Sequence, residues 1–178
     1  MAIATTALPY GMRDVRLTPV ADDGSLGTPV DLPAAQTLSF SEAEEFEELR
    51  GDDAIIAIRG KGPKVEWTLE AGGISLGAYK VIAGGTLTLT GTTPNQIRKV
   101  SKLVTDVRPY FKAEGQSISD SGGDFHSILY KARAATNIEG GHADGTFWIT
   151  KCGGTAIGRI SDGALYDFVQ NETAVAIP

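Results

Sequence analysis

Cysteine is almost missing from this sequence: Cys152 is the only one in 178 residues. A single thiol can form neither an intrachain disulfide nor a cysteine-rich zinc site, which points to folding in a reducing cytoplasm. Histidine is nearly as scarce. His126 and His142 are the only two, and together with Cys152 they show no metal-ligand spacing, so no metal or cofactor is expected. No apolar run approaches the ~18 residues that cross a bilayer, so no membrane role is expected. Met1 to Tyr10 carries no base ahead of its apolar residues, unlike a secretory leader. Excess positive charge is also lacking, with 16 Lys and Arg against 22 Asp and Glu. Without an aromatic-plus-basic module, that balance argues against binding nucleic acid by neutralisation.

What is present suits one domain with a sizeable core: 42% hydrophobic residues and 22 glycines spread along the chain. Dispersed glycines predict many turns between short strands. Arg13 to Val20 alternates as a strand, Ala21 to Gly27 has turn chemistry, and Val30 to Phe40 resumes as a strand interrupted by Pro33. In Lys64 to Ala71, Val65, Trp67, Leu69 and Ala71 alternate with polar residues, which predicts one buried and one wet face. Ser75 to Ala83 reads as the main helix. Ser75 is its N-cap, Leu76, Tyr79, Ile82 and Ala83 form its apolar face, and Gly84-Gly85 stops it. Thr86 to Thr90 alternates as a strand, and Ile97 to Val107 fits helix or strand. Val107 to Ala113, Phe125 to Ala135, Gly145 to Lys151 and Leu165 to Val169 read as further strands between glycine-rich separators. The predicted fold is mainly β, a β-sandwich or open barrel with one short flanking α-helix and extended terminal arms at 1–11 and 171–178.

The charge is concentrated. Ser41 to Asp53 holds Glu42, Glu44, Glu45, Glu47, Glu48, Asp52 and Asp53 against Arg50 alone, while the rest of the chain is balanced. Ser41-Glu42-Ala43-Glu44 matches a capping box, and Gly51 follows Arg50 as a stop, so a short acidic helix in a long loop is the economical reading. Its stripe, Ala43, Phe46 and Leu49, which Ala54 can extend, then needs a surface in this subunit or a neighbour. Ala54 to Ile58 reads as a strand buried on both faces, and Gly60 to Pro63 as a turn. A basic stretch, Arg98, Lys99, Lys102, Arg108 and Lys112, is opposed by Asp106 alone. The two stretches are either solvated faces or complementary surfaces between copies.

Catalytic signatures are weak. Asp120-Ser121-Gly122-Gly123 is similar to the nucleophile stretch of trypsin-like proteases, but His126 and His142 are not placed to serve as its base. Gly60-Lys61-Gly62 lacks the remaining residues of a phosphate-binding loop. The paired glutamates have nothing nearby to raise one pKa selectively. No catalytic residue is assigned.

The order of pieces carries a resemblance. A strand and turn (Asp14 to Gly27) lead through the acidic linker ending Glu48-Leu49-Arg50-Gly51-Asp52-Asp53 to the Lys64 to Ala71 strand, then a short helix, Gly84-Gly85 and a run of strands. Over residues 12–170 this resembles the major tail tube proteins of long-tailed, non-contractile bacteriophages, which are related in fold to contractile-tail and type VI secretion tube proteins. Leu49-Arg50-Gly51 and the double-glycine helix stop are the nearest local matches. The resemblance implies a structural virion protein made in the bacterial host cytoplasm. Its hexameric rings would join sheets into a ring barrel and stack into a conduit for genome ejection, with no catalysis. It also implies a tape measure protein in the lumen, contacts with tail terminator and distal tail proteins, and DNA passing without specific binding. Ser41 to Asp53 falls at the position of the stacking loop, and 75–83 at that of the helix. The interface residues expected between subunits or rings are Glu42, Glu44, Glu45, Phe46, Glu47, Glu48, Leu49, Arg50, Asp52, Asp53, Arg98, Lys99 and Lys102. A closed ring removes open sheet edges, head-to-tail stacking gives an open-ended tube, and an acidic wall lets DNA slide. The rival readings are another ring-forming virion or secretion component, a carbohydrate-binding β-sandwich using Trp67 and Trp148, and a hydrolase using Ser121.

Overall fold

In the computed structural model, which describes residues 3–177, one curved antiparallel sheet forms the body. Among the described residues there are ten strands and one helix: β1 (Pro9–Val20), β2 (Val30–Asp31), β3 (Ala35–Gly51), β4 (Ala54–Gly72), α1 (Leu76–Ala83), β5 (Thr86–Thr90), β6 (Ile97–Ser101), β7 (Tyr110–Ser119), β8 (Asp124–Ala134), β9 (Ile149–Ala156) and β10 (Tyr166–Asn171). The main sheet runs β2-β1-β7-β8-β9-β4-β3, with β10 also on β8, and β5-β6 is a separate hairpin. The mainly-β, sandwich or open-barrel expectation holds, and the sheet does not close into a barrel.

The curvature starts at β8. Its N-terminal half pairs with β10 (Leu129 with Tyr166), and its C-terminal end pairs with β9 (Ala132 with Ala156). The β9-β4-β3 wing thereby folds over β1-β7-β8. Trp67 of β4 meets Phe111 of β7 edge-on at 5.4 Å, although the two strands are not sheet neighbours. Val15, Leu17, Val65, Trp67, Phe111 and Leu129 are buried in this interior. The alternation of Val65, Trp67, Leu69 and Ala71 places all four inward, as the sequence pattern requires.

Two glycines explain why β9 lies further along the chain than 145–151. Gly153-Gly154 was expected to separate strands, yet both lie within β9. A Cβ on Gly154 would stand 2.0 Å from the Arg133 carbonyl oxygen, and one on Gly153 2.9 Å from that of Trp67. Here glycine permits close backbone approach rather than a break.

The helix begins and ends where expected. Ser75 Oγ accepts from the Ala78 amide, and Gly84, at φ 81°, donates its amide to the Lys80 carbonyl. Its buried face is Ala78, Val81, Ile82 and Ala83. Leu76 and Tyr79 are only half-buried, so the apolar stripe is rotated from the one predicted. Residues 97–101, ambiguous in sequence, form β6, and a Leu103–Asp106 turn follows.

The largest correction concerns 41–53. It is strand, not helix or loop: Ser41 pairs with Glu66 and Leu49 with Ala57. Asp52 and Asp53, at φ 51° and 60°, close a two-residue hairpin turn whose positive dihedrals match the twist of paired strands. Helix propensity within one segment yields here to pairing with the β-branched Ile55 and Ile58, which stand opposite Arg50 and Glu48. Gly60 to Pro63 is strand at an irregularity in that ladder, not a turn. Ala54 to Ile58, expected inside, is exposed throughout.

Both arms lie against the body. Near the start, the Leu8 amide donates to Ser119 Oγ and the Ala4 carbonyl accepts from Gln170; β1 already begins at Pro9, and Met1 and Ala2 fall outside the described residues. Residues 172–177 return along the sheet. The Val175 amide donates to Asp124, its carbonyl accepts from Gln116, and the Ile177 carbonyl accepts from Arg16. Asp124 is fully buried and also accepts from Asn171 and lies 2.9 Å from His126 Nε2. Burial pushes its pKa up, but the bonds from Asn171, Gln116, the Val175 amide and His126 outweigh it and bring the pKa to about 2.

Candidate assembly surface

The β4 ladder to β9 spans only Val65 to Gly72, so the distal part of the β3-β4 hairpin has no strand neighbour in this chain. Residues 44–63 are exposed except for the half-buried Gly51 and Gly60. At ~3.3 Å per residue, this arm extends about 25 Å from the body. It carries apolar side chains in solvent on both faces, Phe46 (63% exposed) and Ile58 (60%) on one and Leu49 (62%) and Ile56 (65%) on the other. So many large apolar side chains on a bare ribbon exceed ordinary scatter and make it the candidate interaction surface.

The arm's acids are partly answered within the arm. Glu47 lies 3.3 Å from Lys61, Glu45 lies 3.9 Å from Lys64, and Glu48 accepts from Arg50 at 2.8 Å. These pairs are exposed and each is worth at most about 1 kcal/mol. Glu44 lies over Gly60, where a Cβ would meet its carboxylate. At the base, Glu42 accepts from Tyr166 at 2.6 Å. That bond, reinforced by the carboxylate's charge, raises the Tyr166 pKa. Phe40, Tyr166, Phe168 and Phe125 stack around the same point, with Phe40 and Phe168 centroids 5.3 Å apart, and brace the arm against β10. At the tip, among the described residues, neither Asp52 nor Asp53 has an ion-pair partner.

The basic stretch is divided by the fold. Arg108 donates to the Ala134 and Thr136 carbonyls, and Lys112 is paired with Glu114 at 2.8 Å and largely buried. Lys102 donates to the Ala83 carbonyl at the end of α1. Arg98 and Lys99 are exposed on β6, on opposite faces of the hairpin because they are consecutive strand residues. Within one chain, among the described residues, no acid of 42–53 pairs with Arg98, Lys99 or Lys102.

The other candidate residues have structural partners. Trp67 is 2% exposed, so it offers no sugar platform, and Trp148 is half-buried against His142, with centroids 4.7 Å apart. Ser121 Oγ bonds to Ser119 Oγ at 2.8 Å and to the Leu8 amide, while buried His126 is engaged with Asp124. Cys152 is buried, and that burial pushes its thiol up to about 11 despite the nearby Arg108 charge. No described helix is long and apolar enough to cross a membrane.

Sequence reasoning missed Ile55, Ile56 and Ile58 as surface residues, the Tyr166 brace, and an apolar groove beside α1. The clue was available: an apolar run directly follows an acidic one across two turn-forming residues. The sequence matches no protein-family model and no curated protein.

Proposed function

We propose that this chain is a non-enzymatic structural protein that polymerises with copies of itself, and that it serves as the tail tube subunit of a long-tailed bacteriophage. The single observation that carries this reading is the β3-β4 arm, a hydrogen-bonded ribbon that leaves the body with Phe46, Leu49, Ile56 and Ile58 in water. Burying side chains of this kind is worth about 1.5–3 kcal/mol each, and the chain itself leaves that gain unrealised. The outer edge of β3, paired only to β4, is a second unsatisfied feature, because an unpaired edge accepts another strand. The tail tube assignment rests on the resemblance in the order of elements, with the arm at the place of the stacking loop and α1 at that of the flanking helix. Glu42, Glu44, Glu45, Phe46, Glu47, Glu48, Leu49, Arg50, Asp52 and Asp53 are the interface side chains of the arm in this reading.

Rings of six, stacked around a tape measure protein and later passing DNA, are the corresponding assembly. The virion tail is the corresponding location, with terminator and distal tail proteins at its ends. Negative-stain electron microscopy of the purified protein tests the reading. Long hollow tubes are expected. Single rings would favour a tail terminator or secretion ring instead, and lone 18.7 kDa particles at high concentration would refute self-assembly.

A further inference from the structure

We infer that the tip of the β3-β4 arm docks, in a second copy of this chain, into the apolar groove beside α1, between the start of β5 and the β1-β2 connection. The inference deepens the self-assembly reading and rests on it.

The groove has a volume of ≈ 580 Å³ and is walled by Val81 of α1, Leu87 of β5, Val107 and Pro109 of the segment leading into β7, and Pro19 and Val30 of β1 and β2, with Lys80 on its rim. That volume lies in the ~300–1,000 Å³ range of pockets that bury small apolar groups. Its walls stay incomplete in one chain: Val107 is 70% exposed, and beyond the groove on the Leu87 face of β5 Leu89 is 59% exposed. Arg98 pairs with Leu89 and so stands on that same face, while Lys102 lies at the end of α1. The groove is thus an apolar trough with Lys80 at its rim and Arg98 beyond it on the Leu87 face of the hairpin.

The arm tip is its complement. Leu49, Ile55 and Ile56 are 62%, 49% and 65% exposed beside Asp52 and Asp53, with Leu49 and Ile56 on one face of the ribbon and Ile55 on the other. Aliphatic side chains would enter the trough while the two carboxylates meet Lys80 and Arg98, an arrangement of opposite charges that fixes orientation as well as attraction. A two-stranded hairpin such as β5-β6 is marginal alone, and gains support from a ribbon packed against it. Because knob and socket are made of different residues, the contact is heterologous, and wherever two copies do not dock reciprocally it leaves one arm and one groove free, as an open-ended polymer requires.

Engineered cysteines test this cleanly, since Cys152 is buried and its thiol poorly ionised. Ile56→Cys and Val107→Cys are both at exposed positions. Mixing the two single variants with a short bismaleimide should give a covalent dimer that neither variant gives alone. A chain carrying both changes should form intermolecular ladders. Only intramolecular linkage in that chain would mean that the arm occupies its own groove, and would overturn the inference. In parallel, Lys80→Glu should raise the critical concentration for assembly at least tenfold, and mixing with an Asp52→Lys, Asp53→Lys chain should restore it. Tubes that form without any cross-link, and with no effect of Lys80→Glu, would overturn the groove while leaving self-assembly standing. Absence of tubes and of cross-links together would remove both.

Discussion

At the scale of single residues, the sharpest constraints are on backbone approach and on one buried carboxylate. A methyl group at Gly154 has nowhere to go, because its neighbour is the Arg133 carbonyl of the adjoining strand rather than a side chain that can turn away. Gly154→Ala should therefore cost more than 3 kcal/mol in urea unfolding, on the order of a severe core lesion. Phe111, fully buried against Trp67, should cost about 3–5 kcal/mol as Phe111→Ala. Asp124 has a different signature. Its folded pKa, about 2, lies below the ordinary value of 3.8, so its stabilising bonds are fully present above pH 4 and are lost as the pH falls towards 2. Acidification over that window should release residues 172–177 before the core melts, seen as early loss of amide protection at Val175. Asp124→Asn should abolish that pH-dependent step.

At the scale of elements, legibility followed how local each cause is. The Val65 to Ala71 alternation, the Ser75 cap and the Gly84 stop are encoded within a few residues and could be read directly. The 41–53 segment could not, because its local signals were sound but outvoted. Glu, Ala, Leu and Arg favour helix, and Ser41 to Glu44 does spell a capping box, yet the partner strand lies on the far side of Asp52-Asp53. The Ile55 to Ile58 run was misplaced for a related reason: hydrophobicity predicts burial, but not whether the covering surface belongs to the same chain. The position of β9 was hidden because a glycine pair looks the same in a turn as at a close crossing. The aromatic brace and the groove join residues more than a hundred positions apart or across separate sheets, which a single sequence does not reveal. The arm's independence yields its own prediction. Replacing residues 46–60 by a tight turn should leave the thermal midpoint within a few degrees of the parent, because those side chains contribute nothing to the core. Reversing Glu44, Glu45, Glu47 and Glu48 to lysine should likewise spare the fold, since it sacrifices only exposed pairs, but should weaken assembly at physiological salt.

At the scale of the whole molecule, the body and the arm divide the work. The body satisfies its interior and ties down both terminal segments; the arm and the groove beside α1 remain apolar and wet. A folded unit of this form leaves apolar surface in water that association with copies of itself, in the proposed reading, would bury. An acidic excess of −6 on the whole chain opposes association of like copies, so in the proposed assembly the local contacts of arm and groove must outweigh it. The most direct measurement is sedimentation velocity of the full chain beside the chain with residues 46–60 replaced, at matched concentrations. The account predicts that the full chain shifts to very large, concentration-dependent species while the shortened one sediments no faster than a single ring. A full chain that stays at 18.7 kDa, or a shortened chain that polymerises equally well, would contradict it.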